Sequence, residues 1–353
     1  MTASGAGWVL GVDSGGSGLR VALAPAAGVT SVAGGLADAV REECREPVRT
    51  GPEGIDARHL AAQVVPAARA LLDRVGGQDG GLTAVCVGAA GMATLGAELR
   101  ALLPEEFART LGARSLLLAA DAVTAYAGAL GVASGAVVAA GTGMIALGTD
   151  LRTWRRADGW GHLLGDCGGG AWIGRAGLDA ALRAHDGREG GSPALLRRAE
   201  ETFGPAAGLP GLLYPRSDRP ALLASFAPQV AAAADPAGGD GDATARTVLA
   251  DAAREIARSA AAACPGPDGP SPSGQGAEAP QVALTGGLFR MGEVLLEPLR
   301  RELAVRLPHG RTVPAAGDPL DGALLLAARR AAGTPGLPED ERLLTVHTPL
   351  SGA

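Results

Sequence analysis

No lysine occurs anywhere in the 353 residues; all 31 positive charges are arginine. That absence excludes a P-loop NTPase, whose GxxxxGK[ST] motif needs its lysine on the phosphates. Aromatic residues are scarce, at 3%, so the core has to be built from Ala, Val and Leu and held by close packing rather than ring burial. There is no basic run, and the formal net charge is -6, which removes the clustered cations that a nucleic-acid footprint requires. No apolar run approaches the roughly 20 residues of a membrane span. The opening MTASGAGWVLGVD has no basic region ahead of an apolar stretch, so it does not resemble a secretory signal; a cytoplasmic protein is expected, with neither nucleic acid nor membrane as partner. The four cysteines, Cys44, Cys86, Cys167 and Cys264, lie far apart without CxxC spacing, as reduced thiols rather than a disulfide frame or zinc site. What remains is a chain with an ordinary apolar fraction of 47%, long enough for two domains.

The chain is organised around Asp158 to Gly174, DGWGHLLGDCGGGAWIG. Two of the four tryptophans, Trp160 and Trp172, lie there among seven glycines, one histidine and two aspartates. So many glycines beside bulky rings imply tight turns and a backbone that something approaches closely. The stretch reads as a small-molecule site; the plainer reading is a Gly-rich surface loop.

Around it, apolar runs alternate with helical patterns. Trp8 to Asp13, then SGGSG, then Leu19 to Ala24 reads as a hairpin whose turn presents backbone N–H groups to an anion without any lysine, or as an ordinary turn. Asp13 ends its first strand. His59 to Val75 carries a helical apolar stripe, and Thr83 to Met92 and Ser115 to Val123 each read as a buried strand running into a polar turn. Strands alternating with helices imply a largely parallel, covered sheet with ligands beyond the carboxyl ends of the strands. Asp121 falls at such an end, suited to accept a proton from a hydroxyl or simply to cap the next helix. Ala136 to Thr149 repeats the strand, Gly turn, strand unit. Helices are expected over 178–184, 192–203, 220–234, 242–264 (N-capped by Asp242), 294–305 and 318–332. Between Pro265 and Pro280 the sequence is a low-complexity loop, followed by a strand that ends at Gly286 and Gly287.

In this order the motifs resemble the sugar-kinase, Hsp70 and actin superfamily, and more closely the N-acetylglucosamine kinase branch grouped with the BadF/BadG ATPases. Gly11 to Leu23 looks like the first phosphate loop, Val137 to Gly148 like the second, Val282 to Phe289 like the adenosine motif, and Gly159 to Arg175 like that branch's sugar-site signature. The resemblance implies an α/β fold of two duplicated ribonuclease-H-like (actin-like ATPase) domains facing a central cleft. They are expected over 1–119, completed by a helix at about 318–333, and over 120–317, with 334–353 a flexible tail. It implies ATP and Mg2+ as cofactors, with Asp13 acting on the metal through water. Gly15, Gly16, Ser17, Gly141, Thr142 and Gly143 would line the phosphates, and Gly286 and Gly287 would border the adenine. Asp121 would be the catalytic base, and Gly159, Trp160, Gly161 and Asp166 would contact the sugar.

The implied activity is an ATP-dependent kinase acting on an amino sugar, N-acetylglucosamine at its 6-hydroxyl, with a homodimer expected by the same analogy. Two departures stand out: Cys167 replaces the Glu usual in GDEG, and no Asn-containing sugar segment exists between Gly34 and Gly54. Two other classes stay open: an ATPase activating a partner redox enzyme, which would need clustered cysteines, and a non-catalytic sugar or nucleotide sensor.

Overall fold

The protein is described by a computed structural model covering residues 7–15, 18–27, 29, 31, 32, 36, 38–44, 46, 48–51, 54–77, 81–237, 239–266, 279–334 and 336–348. In chain order the first elements are β1 (Trp8–Gly15), β2 (Gly18–Pro25), β3 (Val40–Cys44), β4 (Thr50–Gly51), β5 (Gly54–Ile55), α1 (Ala57–Val75), β6 (Leu82–Ala89), α2 (Met92–Leu95), α3 (Ala97–Leu111), β7 (Leu116–Ala120) and α4 (Asp121–Leu130). Then come β8 (Gly135–Ala140), β9 (Met144–Thr149), β10 (Trp154–Asp158), α5 (Gly170–His185), α6 (Pro193–Phe203), α7 (Leu209–Leu213), α8 (Arg219–Ser225), α9 (Ala227–Ala234) and α10 (Ala243–Ala263). The chain closes with β11 (Gln281–Thr285), α11 (Glu293–Arg306), β12 (Arg311–Val313), α12 (Pro319–Ala331) and β13 (Leu344–His347).

The chain forms two compact units, one made of 1–134, 149–154 and 314–353, the other of 135–148 and 155–313. In the first unit the sheet order is β13-β7-β6-β1-β2-β3. β1 and β2 form the antiparallel hairpin, while β6 pairs parallel with β1 and with β7. In the second unit the order is β10-β9-β8-β11-β12, with β8, β11 and β12 parallel. Each sheet is thus a three-strand meander followed by two parallel crossovers, the same topology twice.

The cores bear out the aromatic-poor composition. α10 buries Ala245, Leu249, Ala252, Ala253, Ile256, Ala257, Ala260 and Ala263 on one stripe, at the i, i+3, i+4 spacing of an amphipathic helix. In the first unit α12 packs on α4, β1 and β6. The approach to α4 is so close that a Cβ at Gly128 would meet the Asp318 carbonyl and one at Gly322 the Thr124 carbonyl.

Four expectations change. The helix read over 220–234 is two helices, because Pro228 has no N–H to continue the ladder and the chain turns at the fully buried Phe226. The helix read from Leu178 begins at Gly170, so Trp172 is helical. α4 lies in the first unit rather than opening the second. The stretch after Thr334, expected as a flexible tail, buries Leu337, Leu343 and Leu344 and supplies β13, antiparallel to β7. The backbone of β13 thereby pairs the edge of β7 that would otherwise stay open.

Candidate functional site

In the first unit the sheet register fixes the two carboxylates read from the sequence. Asp13 of β1 is level with Gly88 of β6, which is level with Ala119 of β7. Asp121 follows two residues later as the first residue of α4. Both therefore stand at the carboxyl edge of the parallel strands, two strands apart, about 10 Å by ordinary strand spacing. Ala120 rather than Asp121 occupies the N-cap. Exposed Asp121 accepts a bond from the Ala122 N–H at 2.9 Å through Oδ1.

Asp13 is buried. Its Oδ2 accepts from Arg20 Nε at 3.2 Å and from an Arg20 terminal nitrogen at 2.6 Å, and the same guanidinium reaches Asp318 at 2.6 Å. Burial pushes the Asp13 carboxyl above the ordinary carboxylate range, and the bonds from Arg20 offset part of that. Among the described residues no group of three or more His, Cys, Asp or Glu side chains is arranged to hold a metal ion. One carboxylate oxygen suits Mg2+, which keeps its waters and takes its other ligands from substrate phosphates. Asp13 fits that role: its Oδ2 is committed to Arg20, and among the described residues none donates to its Oδ1. Gly15 ends β1 with open space where a Cβ would stand; Gly16 and Ser17 lie outside the described residues.

In the second unit the parallel pairing of β8 and β11, Ala139 beside Thr285, places two glycine turns at one sheet edge. Gly141 and Thr142 are exposed after β8, and Gly286 and Gly287 are exposed after β11. Gly286 has φ +107°, and a Cβ there would collide with the Ala140 carbonyl, so only glycine fits. The first turn of α5 is tied to the β8 turn: Gly170 N–H donates to Gly141 O and Ala171 N–H to Thr142 O, both at 2.8 Å. A Cβ at Gly143 would run into the Asp166 carboxylate. Asp166, Gly143 and Thr142 are therefore neighbours, as are the Gly286 turn and the end of β8.

The loop from Asp158 to Gly169 is folded on itself. Asp158 and Asp166 adopt φ +60° and +54°, conformations unusual for residues with a Cβ. Asp166 Oδ1 accepts from the Gly161 N–H at 3.0 Å, and Gly165 N–H donates to Gly161 O at 2.8 Å. Trp160 is 65% exposed and carries the Arg156 guanidinium 4.5 Å from its ring centroid. Arg156 also donates to the Asp158 and Gly159 carbonyls. Burial raises the Asp166 carboxyl above its usual range, against the pull of the Gly161 N–H. Burial, and after it Asp158 and Glu255, push the Cys167 thiol up, which keeps it protonated and a poor nucleophile. Gly159, Trp160, Gly161 and Asp166 thus share one loop. Arg156 and Asp158, which hold that loop, were not recognised from sequence; two more polar residues before a Gly-Trp pair carry no signal of their own.

This chain is similar to the crystal structure of a candidate N-acetylglucosamine kinase from Chromobacterium violaceum, with 27% identity and a TM-score of 0.65, covering 91% of this chain and 98% of that one. A second candidate N-acetylglucosamine kinase, from Porphyromonas gingivalis, is similar at 18% identity and a TM-score of 0.60, over 90% of this chain and 97% of that one. A ROK family glucokinase from Streptomyces griseus, in complex with glucose and AMPPNP, shares the fold at 18% identity and a TM-score of 0.50, over 93% and 100%. No protein with a curated description matches. The model of the BadF/BadG/BcrA/BcrD ATPase family matches residues 10–327, from β1 with Asp13 through most of α12, and the chain belongs to that family, with a sugar-kinase fold.

Proposed function

We propose that the protein is an ATP-dependent kinase for an amino sugar, transferring the γ-phosphoryl group to the 6-hydroxyl of N-acetylglucosamine. The observation that carries this reading is the contact of Asp166, in the loop resembling a sugar-site signature, with Gly143 in the glycine turn after β8. A sugar-binding loop packed on a phosphate turn is what phosphoryl transfer to a sugar requires, because catalysis here is chiefly positioning and charge stabilisation.

The exposed turn Gly141–Gly143 offers backbone N–H groups and the Thr142 hydroxyl to phosphate oxygens. Gly286 and Gly287 leave room for a flat base. Asp13, held by Arg20, would hold the hydrated Mg2+ that accompanies ATP, which would supply neutralisation of the charge developing on the transferring group. Trp160 and Asp166 hold the sugar, the indole by its apolar face and the carboxylate through hydroxyls. Asp121 accepts the proton of the attacking hydroxyl.

The test is product analysis. MgATP is incubated with N-acetylglucosamine, glucosamine, N-acetylmannosamine and glucose in turn, and phosphorylated sugars are identified by mass spectrometry and phosphorus NMR. A 6-phosphate formed fastest from N-acetylglucosamine is expected. ATP binding without any phosphorylated sugar would refute the kinase reading.

A further inference from the structure

Asp158 is the most heavily engaged residue of the substrate loop, and the proposed chemistry gives it no task. Its two carboxylate oxygens accept separate backbone bonds, Oδ1 from the Asp166 N–H at 2.7 Å and Oδ2 from the Cys167 N–H at 2.9 Å. A single side chain thereby closes the chain from 158 to 167 into a ring. Its own carbonyl is held by Arg156 Nε at 3.0 Å. Asp158 sits at φ +60° and Asp166 at φ +54°, left-handed conformations that a residue with a Cβ keeps only where the surroundings over-determine them. Strain kept at both ends of one ring argues that the ring's shape is used.

We propose that Asp158 is the positioning residue of the sugar subsite, acting through Asp166. By fixing the Asp166 and Cys167 amides it holds residue 166 in the left-handed conformation. From there Asp166 Oδ1 accepts from the Gly161 N–H while the carboxylate lies against Gly143. Without the brace, the Asp166 carboxylate loses its fixed direction and the Trp160 segment its closure. Cys167 fits the arrangement: its backbone N–H is held by the Asp158 carboxylate, so the loop keeps a carboxylate next to position 167 although residue 167 carries none. Glu255 and Asp166 are the other acidic groups whose charge acts on Cys167. The inference rests on the kinase reading for the identity of the ligand, but the brace itself does not.

The experiment compares wild type with Asp158→Asn and Asp158→Gly. Asparagine keeps the size but turns a donor toward one of the two amides; glycine removes the carboxylate while relieving the backbone strain, so that variant folds even if the other does not. Hydrogen exchange is measured first. The amides of Asp166 and Cys167 are expected to exchange about tenfold or more faster in both variants, with β8 and α10 unchanged; unchanged exchange at 166 and 167 overturns the proposal whatever the ligand. Sugar-dependent turnover is measured second, with KM for N-acetylglucosamine rising about tenfold or more and KM for ATP changing by less than about threefold. A parallel rise in both constants would mean general loosening of the unit and would also overturn it. Absence of sugar-dependent turnover in wild type refutes the kinase reading instead, and the exchange result still decides the brace.

Discussion

Asp121 carries the most specific claim at the scale of single residues. It opens α4 at the carboxyl edge of the sheet that also carries Asp13, where a negative group suits both the helix N-terminus and proton abstraction. Asp121→Asn keeps the shape and removes the basic oxygen, so kcat should fall about 10²- to 10⁴-fold with the KM for sugar within a few-fold; steady-state kinetics checks this. Asp121 was legible in the sequence because an apolar strand followed by Asp marks a strand end. Asp158 was not, because its importance lies in a positive φ and in two bonds to amides eight and nine residues on, which no local pattern announces. Likewise the salt bridge between Asp13 and Arg20 follows from their being cross-strand partners in the hairpin, a register the sequence left implicit.

At the scale of elements, α12 is the piece whose loss would be felt at the proposed phosphate edge. It begins with a capping box in which Asp318 accepts from the Asp321 N–H at 3.0 Å and Asp321 accepts from the Asp318 N–H at 2.9 Å. Asp318 also takes the Arg20 bond, so the cap and the Asp13 partner share one side chain. Asp318→Ala should cost about 1–2 kcal/mol in chemical denaturation. β13 gives a pH prediction. Burial, and after it the charge of Arg100, hold the His347 pKa below 6.5, so the unfolded chain takes up the proton more readily than the folded one. Stability should therefore fall as the pH drops through about 6.5, and His347→Gln should flatten that part of the profile in thermal melts. The Pro- and Asp-led start of α12 was readable, as were the Asp242 cap and the helix that follows Ser192. α3 was missed because Pro104 interrupts its pattern and its N-cap is glycine. β3, β10, β12 and β13 are short and largely unburied strands, whose alternation is too brief to distinguish from loop.

At the scale of the whole molecule, one topology occurs twice, β3-β2-β1-β6-β7 in one unit and β10-β9-β8-β11-β12 in the other. The sequence displayed this as two apolar hairpins with glycine at the turn. It placed the units' borders less well, since 149–154 and 314–353 return to the first unit through contacts that close only in three dimensions. Each unit brings its share of the proposed residues to the carboxyl edge of its parallel strands, Asp13 and Asp121 in one, Thr142, Gly143, Asp166 and the Gly286 turn in the other. Gly286→Ala, which would drive a methyl into the Ala140 carbonyl at φ +107°, should weaken ATP binding and destabilise the fold by about 1–3 kcal/mol, read by calorimetry and denaturation together. The central claim is sugar-dependent phosphoryl transfer, and ADP release from MgATP, measured with and without N-acetylglucosamine, tests it most directly. Release that rises steeply and saturably with the sugar is the predicted result; a rate indifferent to every amino sugar offered, in protein that binds ATP, would contradict it.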